Sequence, residues 1–189
     1  MEAKVPTPRT LISGGQTGVD RAALDWAIEK DVSHAGWCPA GRIAADGVLD
    51  KCYKLTETES SGYRQRTKRN IQDSDATLII YQRSLEGGSQ LTHKLTEKLH
   101  KPYFLLDVDA ASYEAGLAQC RAWLARHKPT RLNFAGPSEA RCPGIYQHTL
   151  EVLDDLFLSQ SRSGLSSIAT DQAQSSHSAR TKADSHEDH

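Results

Sequence analysis

Chemistry is most readily built in this chain at two glycine turns, each set between an apolar run and a helical pattern. The first is Leu11-Ile12-Ser13-Gly14-Gly15-Gln16-Thr17-Gly18-Val19-Asp20. Its glycines let the backbone turn tightly and let a ligand approach the main chain. The helix that follows starts with unpaired N–H groups and the positive end of its dipole, which together hold an anion such as phosphate. The spacing is neither GxGxxG nor GxxxxGK[ST], so those two phosphate fingerprints do not apply. The second turn is Glu86-Gly87-Gly88-Ser89, between Leu78-Ile79-Ile80-Tyr81 and Gln90-Leu91-Thr92. In open α/β sheets ligands bind beyond the carboxyl ends of the strands. The two turns therefore predict two cradles of one anion site. Gly14, Gly15, Thr17 and Gly18 would form one, and Gly87, Gly88, Ser89 and Thr92 the other. Thr17 and Ser89 fit equally well as helix caps, with the hydroxyl on first-turn N–H groups.

Arginines can supply the charge. Arg42 follows Trp37-Cys38-Pro39-Ala40-Gly41 in a loop, where a guanidinium would grip phosphate with two parallel hydrogen bonds or else stay solvated. Arg66 shares a helix face with Asn70 and could reach a ligand, while Lys68 and Arg69 fall on the solvated side. Asp20, in the first turn of its helix, could bind a ligand hydroxyl or a cation; it would also steady the helix dipole without any ligand. No Ser/His/Asp or Cys/His constellation stands out, so no catalytic residue and no metal ligand is assigned.

The elements that must position these residues follow from periodicity. Val19, Ala22, Ala23, Trp26 and Ala27 recur at helical spacing and form one apolar face. Strands are expected at 10–14, 34–38, 76–81, 103–107 and 131–134, and helices at 18–30, 63–74, 89–100, 112–127 and 144–158. Leu91, Leu95 and Leu99 would lie on one face of the helix at 89–100. Ala76-Thr77-Leu78-Ile79-Ile80-Tyr81 is nearly continuous in apolar residues, as a strand buried on both faces is. This alternation predicts an α/β fold, an open and mostly parallel sheet flanked by helices. Residues 1–158 would make a single ligand-binding domain. Residues 159–189, rich in Ser, Ala, Gln and Asp with almost no large apolar side chains, read as a disordered tail, and its scattered histidines as solvent-exposed.

Composition narrows the function classes. The chain has 189 residues and a formal net charge of −1, without the basic excess expected of a nucleic-acid or membrane-surface binder. No signal-peptide pattern and no long apolar run is present. The 4 cysteines show no CxxC spacing, so neither a zinc site nor a disulfide framework is expected. A cytoplasmic protein with a small-molecule ligand fits these features.

Ordered motifs across residues 10–158 resemble the molybdenum carrier family. They are Ile12-Ser13-Gly14-Gly15-Gln16-Thr17-Gly18-Val19-Asp20-Arg21, Gly36-Trp37-Cys38-Pro39-Ala40-Gly41-Arg42, Leu55-Thr56-Glu57-Thr58, Gly87-Gly88-Ser89-Gln90-Leu91-Thr92, Leu132-Asn133-Phe134-Ala135-Gly136-Pro137 and Pro143-Gly144-Ile145-Tyr146. The resemblance implies a Rossmann-like fold related to lysine-decarboxylase-like and phosphoribohydrolase proteins. It implies a homo-oligomer, a dimer or tetramer, and a binding role toward the molybdenum cofactor (molybdopterin) as cargo. A nucleotide is the other ligand it allows. A nucleotide N-glycosidase and a nucleotide sensor stand as alternatives. The phosphoribohydrolase relatives carry PGGxGTxxE with a catalytic Glu; here Leu95 stands at that position and no proline precedes the glycines. Deleting everything after Gln160 is expected to leave the melting temperature and ligand affinity unchanged, because the segment has no apolar set to dock; a thermal melt of the truncated chain checks this, and a loss of several degrees would place the boundary elsewhere.

Overall fold

The structure, a computed structural model, describes residues 5–109 and 111–158; the expected tail lies outside them. The first strand, β1 (Thr10–Ile12), leads to α1 (Val19–Glu29) and β2 (Ser33–Ala35). Four short strands follow: β3 (Trp37–Cys38), β4 (Ile43–Ala44), β5 (Gly47–Val48) and β6 (Thr56–Glu57). The rest alternates: α2 (Tyr63–Gln72), β7 (Ala76–Tyr81), α3 (Gly87–Lys98), β8 (Tyr103–Asp107), α4 (Tyr113–His127), β9 (Arg131–Ala135) and α5 (Ile145–Phe157). Among the described residues no helix is long and apolar enough to cross a membrane.

The expected α/β architecture is present. Five strands form one parallel sheet in the order β2-β1-β9-β7-β8. The last strand in sequence therefore sits in the middle. If the chain were read from β9, the sheet would run third, second, first, fourth, fifth, which is the Rossmann order. The fold is a Rossmann sheet whose first βα unit has been moved to the C-terminal end.

Alternation along the strands sorts the core into two layers. On one face α1, α4 and α5 pack over Leu11, Leu78, Ile80, Leu132 and Phe134, all nearly inaccessible to solvent. The apolar face foreseen for α1 is buried from Val19 to Ala27. On the other face lie α2 and α3, which pack against each other. Here the leucine stripe of α3 departs from expectation. Only Leu95 is buried, and it shares the sheet-facing side with Ser89, Thr92 and Thr96. The strand surface below is itself partly polar, with Asn133 Nδ2 donating to Thr77 Oγ1 at 3.2 Å.

The strand expected at 34–38 is split at Gly36. Its φ of +148° turns the chain, and a Cβ there would run into the Ser13 carbonyl. Beyond the break β3 leaves the main sheet and pairs with β6 in a separate parallel ladder. The loop that carries Arg42 contains an antiparallel hairpin, β4 with β5.

Gly136, just after β9, is a close backbone approach near the centre of the sheet. A Cβ there would meet Val19 Cγ2 and the Ile80 carbonyl oxygen, the second of which cannot yield. Gly136→Ala should cost about 1–3 kcal/mol, as overpacking does. A Cβ on Gly88 would meet nothing within 4 Å, so Gly88→Ala should change stability by less than about 1 kcal/mol. Urea midpoints at unchanged slope measure both.

Candidate functional site

Beyond the carboxyl ends of β1, β9 and β7 the chain leaves a cleft of about 330 Å³. The chain goes from β1 to β2 on one side of β9 and from β7 to β8 on the other, so the cleft lies where the strand order reverses, the place at which open α/β sheets bind ligands. Tyr63 and Arg66 of α2 form one wall. Gly87, Gly88 and Thr92 at the start of α3 form the second. The third is the loop after β9, from Gly136 to Arg141, with Asp20 and Asn133 at the floor.

The first glycine turn is folded around an anion of the protein itself. The Asp20 carboxylate is 5% exposed and accepts a hydrogen bond from Arg66 Nη1 at 2.6 Å. Main-chain groups of Gly14 and Gln16 also hydrogen-bond it. Burial pushes the Asp20 carboxyl above its ordinary value, and the Arg66 charge and these hydrogen bonds pull the other way. The Arg66 guanidinium occupies the space a Cβ on Gly14 would need. Gly15, at φ +77°, faces the side chains of Leu49 and Leu55; Gly18, at φ +82°, lies against the Pro137 carbonyl. Val19 N donates to that carbonyl at 3.3 Å, and Thr17 N donates to Gln16 Oε1 at 2.9 Å. So Asp20 and Arg66 line the cleft, whereas Gly14, Gly15, Thr17 and Gly18 build the loop behind it.

The second turn is open. Gly87, at φ +51°, supplies the left-handed residue that starts α3, and Gly88 faces free space. Thr92 lines the cleft and donates its hydroxyl to the Gly88 carbonyl at 2.9 Å. Glu86, not Ser89, occupies the N-cap position. Ser89 is buried and its Oγ has no hydrogen-bond partner among the described residues. The Glu86 carboxylate is exposed and accepts from Ser84 Oγ at 2.9 Å, and Leu95 is buried. Among the described residues Asp20 is thus the one acidic side chain lining the cleft.

Arg42 is not brought to the cleft. Its guanidinium donates to the carbonyls of Leu49, Asp50, Tyr53 and Leu55 at 2.8–3.1 Å and holds the 42–55 loop together. Asn70 reaches the cleft wall, but it spends its amide on Trp37, accepting from N at 2.7 Å and donating to O at 3.1 Å. Among the lining residues that were not foreseen are Gln16, Tyr63, Asn133 and Arg141. Asn133 lies within a quoted motif and could have been found by asking which strand sits in the middle of the sheet. Arg141 carries no sequence signal, since a loop arginine is ordinarily solvated.

The model of the circularly permutated YpsA SLOG family matches residues 11–157, nearly the whole described chain. The chain belongs to that family. The strand order agrees with the name, because β9 and α5 form the displaced first βα unit. Among solved structures, the crystal structure named "Putative molybdenum carrier protein" from Syntrophus aciditrophicus SB is 43% identical; the match covers 82% of this chain and 97% of that one, with a TM-score of 0.77. No curated protein matches the chain. The loop after β9 passes over the N-terminus of α1, where the Pro137 carbonyl takes up the first helical N–H.

Arg66→Met should leave the Asp20 carboxylate buried without a counter-charge and cost about 3–5 kcal/mol. The variant's Asp20 would titrate higher still. A buried acid of raised pKa contributes most below its unfolded pKa, and that contribution is lost as pH rises through the folded value. Urea denaturation should therefore show a larger deficit at pH 8 than at pH 5, and Asp20→Asn in the same chain should restore much of it.

Proposed function

We propose that the protein is a carrier that binds a phosphate-bearing pterin or nucleotide, with the molybdenum cofactor as its cargo. The observation that carries this reading is the open N-terminus of α3 in a cleft that also holds a buried Arg66 Nε, which has no hydrogen-bond partner among the described residues. Free helix N–H groups and a guanidinium edge are donors suited to phosphate oxygens. The cleft's volume is at the lower end of the range for small-molecule sites, which suits one flat ring system with a phosphate rather than a dinucleotide. Tyr63, 47% exposed at the mouth, offers a face on which such a ring can stack. The similarity to a protein named as a molybdenum carrier favours the pterin. The cofactor is a dithiolene pterin with a terminal phosphate. The phosphate would lie on Gly87 and Gly88, and the ring toward Tyr63 and Asn133. Asp20, Arg66 and Thr92 complete the site, and Gly14, Gly15, Thr17, Gly18 and Ser89 shape its walls. The same reading makes the protein a cytoplasmic homo-oligomer that binds neither nucleic acid nor membrane.

A ligand at about 100 times its Kd adds roughly 2.7 kcal/mol to stability. Molybdenum cofactor, AMP and ATP are to be compared by thermal shift on the wild type and on Gly88→Val. The wild type should melt several degrees higher with the cofactor. Gly88→Val should melt normally alone and lose that increase, because its side chain would project into the open space at the helix start. Unchanged melting of the wild type with all three compounds at millimolar concentration rules the reading out.

A further inference from the structure

Arg141 stands on the loop between β9 and α5, and the loop is tied down on both sides of it. Val19 N donates to the Pro137 carbonyl at 3.3 Å. Arg141 N and Cys142 N both donate to the Ser138 carbonyl at 3.0 Å. The Glu139 carboxylate accepts from Gly144 N at 2.6 Å and from Tyr146 N at 3.0 Å. These bonds deliver the guanidinium to the second glycine turn. A Cβ on Gly87 would sit 2.5 Å from Arg141 Nη1, so a side chain at position 87 would displace it.

Among the described residues no carboxylate pairs with Arg141. Asp20, the acidic residue of the cleft, is already taken by Arg66. Glu86 caps α3 and is turned to Ser84, and Glu139 is held by the N–H groups of Gly144 and Tyr146, so neither takes up the Arg141 guanidinium or the first N–H groups of α3. Arg66 adds a buried Nε with no acceptor on the same cleft. A phosphomonoester carries about −1.5 to −2 near pH 7 and presents three terminal oxygens to these donors. A phosphodiester carries a single charge and offers fewer terminal oxygens to a guanidinium fork and a helix start together.

We infer that Arg141 and the first turn of α3 form a grip for a terminal phosphomonoester, and that this grip selects monoesters over diesters and over unphosphorylated rings. The inference rests on the carrier reading for the existence of a phosphate ligand and adds the residue and the phosphate class. Arg141 holds the phosphate from outside while the main chain of Gly87 and Gly88 holds it from below. The displaced βα unit supplies the arginine from the far end of the sequence.

Isothermal titration of the full chain with AMP, 3′,5′-cyclic AMP, adenosine and inorganic phosphate tests it. The wild type should bind AMP at least tenfold more tightly than cyclic AMP or adenosine. Arg141→Gln should lose at least tenfold toward AMP and toward inorganic phosphate, leave adenosine unchanged, and melt like the wild type. Arg141→Lys should fall between the two, since it keeps the charge without the fork. AMP affinity within twofold of wild type in Arg141→Gln, or equal wild-type affinity for AMP and cyclic AMP, overturns the grip and leaves the carrier reading standing. Wild-type binding to none of the four probes also overturns it, and the melting shift with molybdenum cofactor then decides whether the carrier reading falls too.

Discussion

A buried charge must be answered where it lies, and in this protein the answer to Asp20 organises one half of the site. The carboxylate sits in the first turn of α1, and Arg66 reaches it from α2 across 46 positions of sequence. The pair fixes the distance between two helices on opposite sides of β1. It also sets the course of the glycine turn, whose main chain folds around the carboxylate and whose Gly14 leaves room for the guanidinium. Neither partner can be removed alone without stranding the other in a poorly solvated place. Such a pair adds little net stability compared with apolar packing; what it specifies here is geometry.

Two further polar hubs hold the frame around it. Arg42 gathers four carbonyls of the 42–55 loop, so that Leu49 and Leu55 are pressed against Gly15. Asp25 accepts the hydroxyls of Tyr53 at 2.7 Å and Tyr146 at 2.8 Å, linking that loop and α5 to α1. Burial and the nearby Asp25 carboxylate push the Tyr146 hydroxyl up to about 12 and raise Tyr53 as well, so both remain donors throughout the neutral range. These hubs keep the first glycine turn closed, and anion binding is left to the second.

The loop after β9 meets the two helix starts differently. With β9 between β1 and β7, the loop that follows it passes over the start of α1 and ends beside the start of α3. At α1 it uses up a helix N–H through Pro137. At α3 it presents Arg141 beside Gly87 and leaves Gly88 open. One loop therefore seals one helix N-terminus and charges the other.

Sequence by itself determined the alternation of strands and helices, the two glycine turns, the apolar face of α1 and the family. These are legible because they rest on local periodicity and on residues whose backbone freedom is intrinsic. It also marked Asp20, Arg66, Gly87, Gly88 and Thr92, all of which line the cleft. Tertiary structure alone decided the order of the strands, the split at Gly36 and the partner of each charged side chain. Arg42 and Arg141 show why: each is an arginine in a loop, and nothing within a few residues tells them apart. One is enclosed by carbonyls of its own loop, the other faces a helix start far away in sequence, and that difference exists only once the sheet has brought distant loops together.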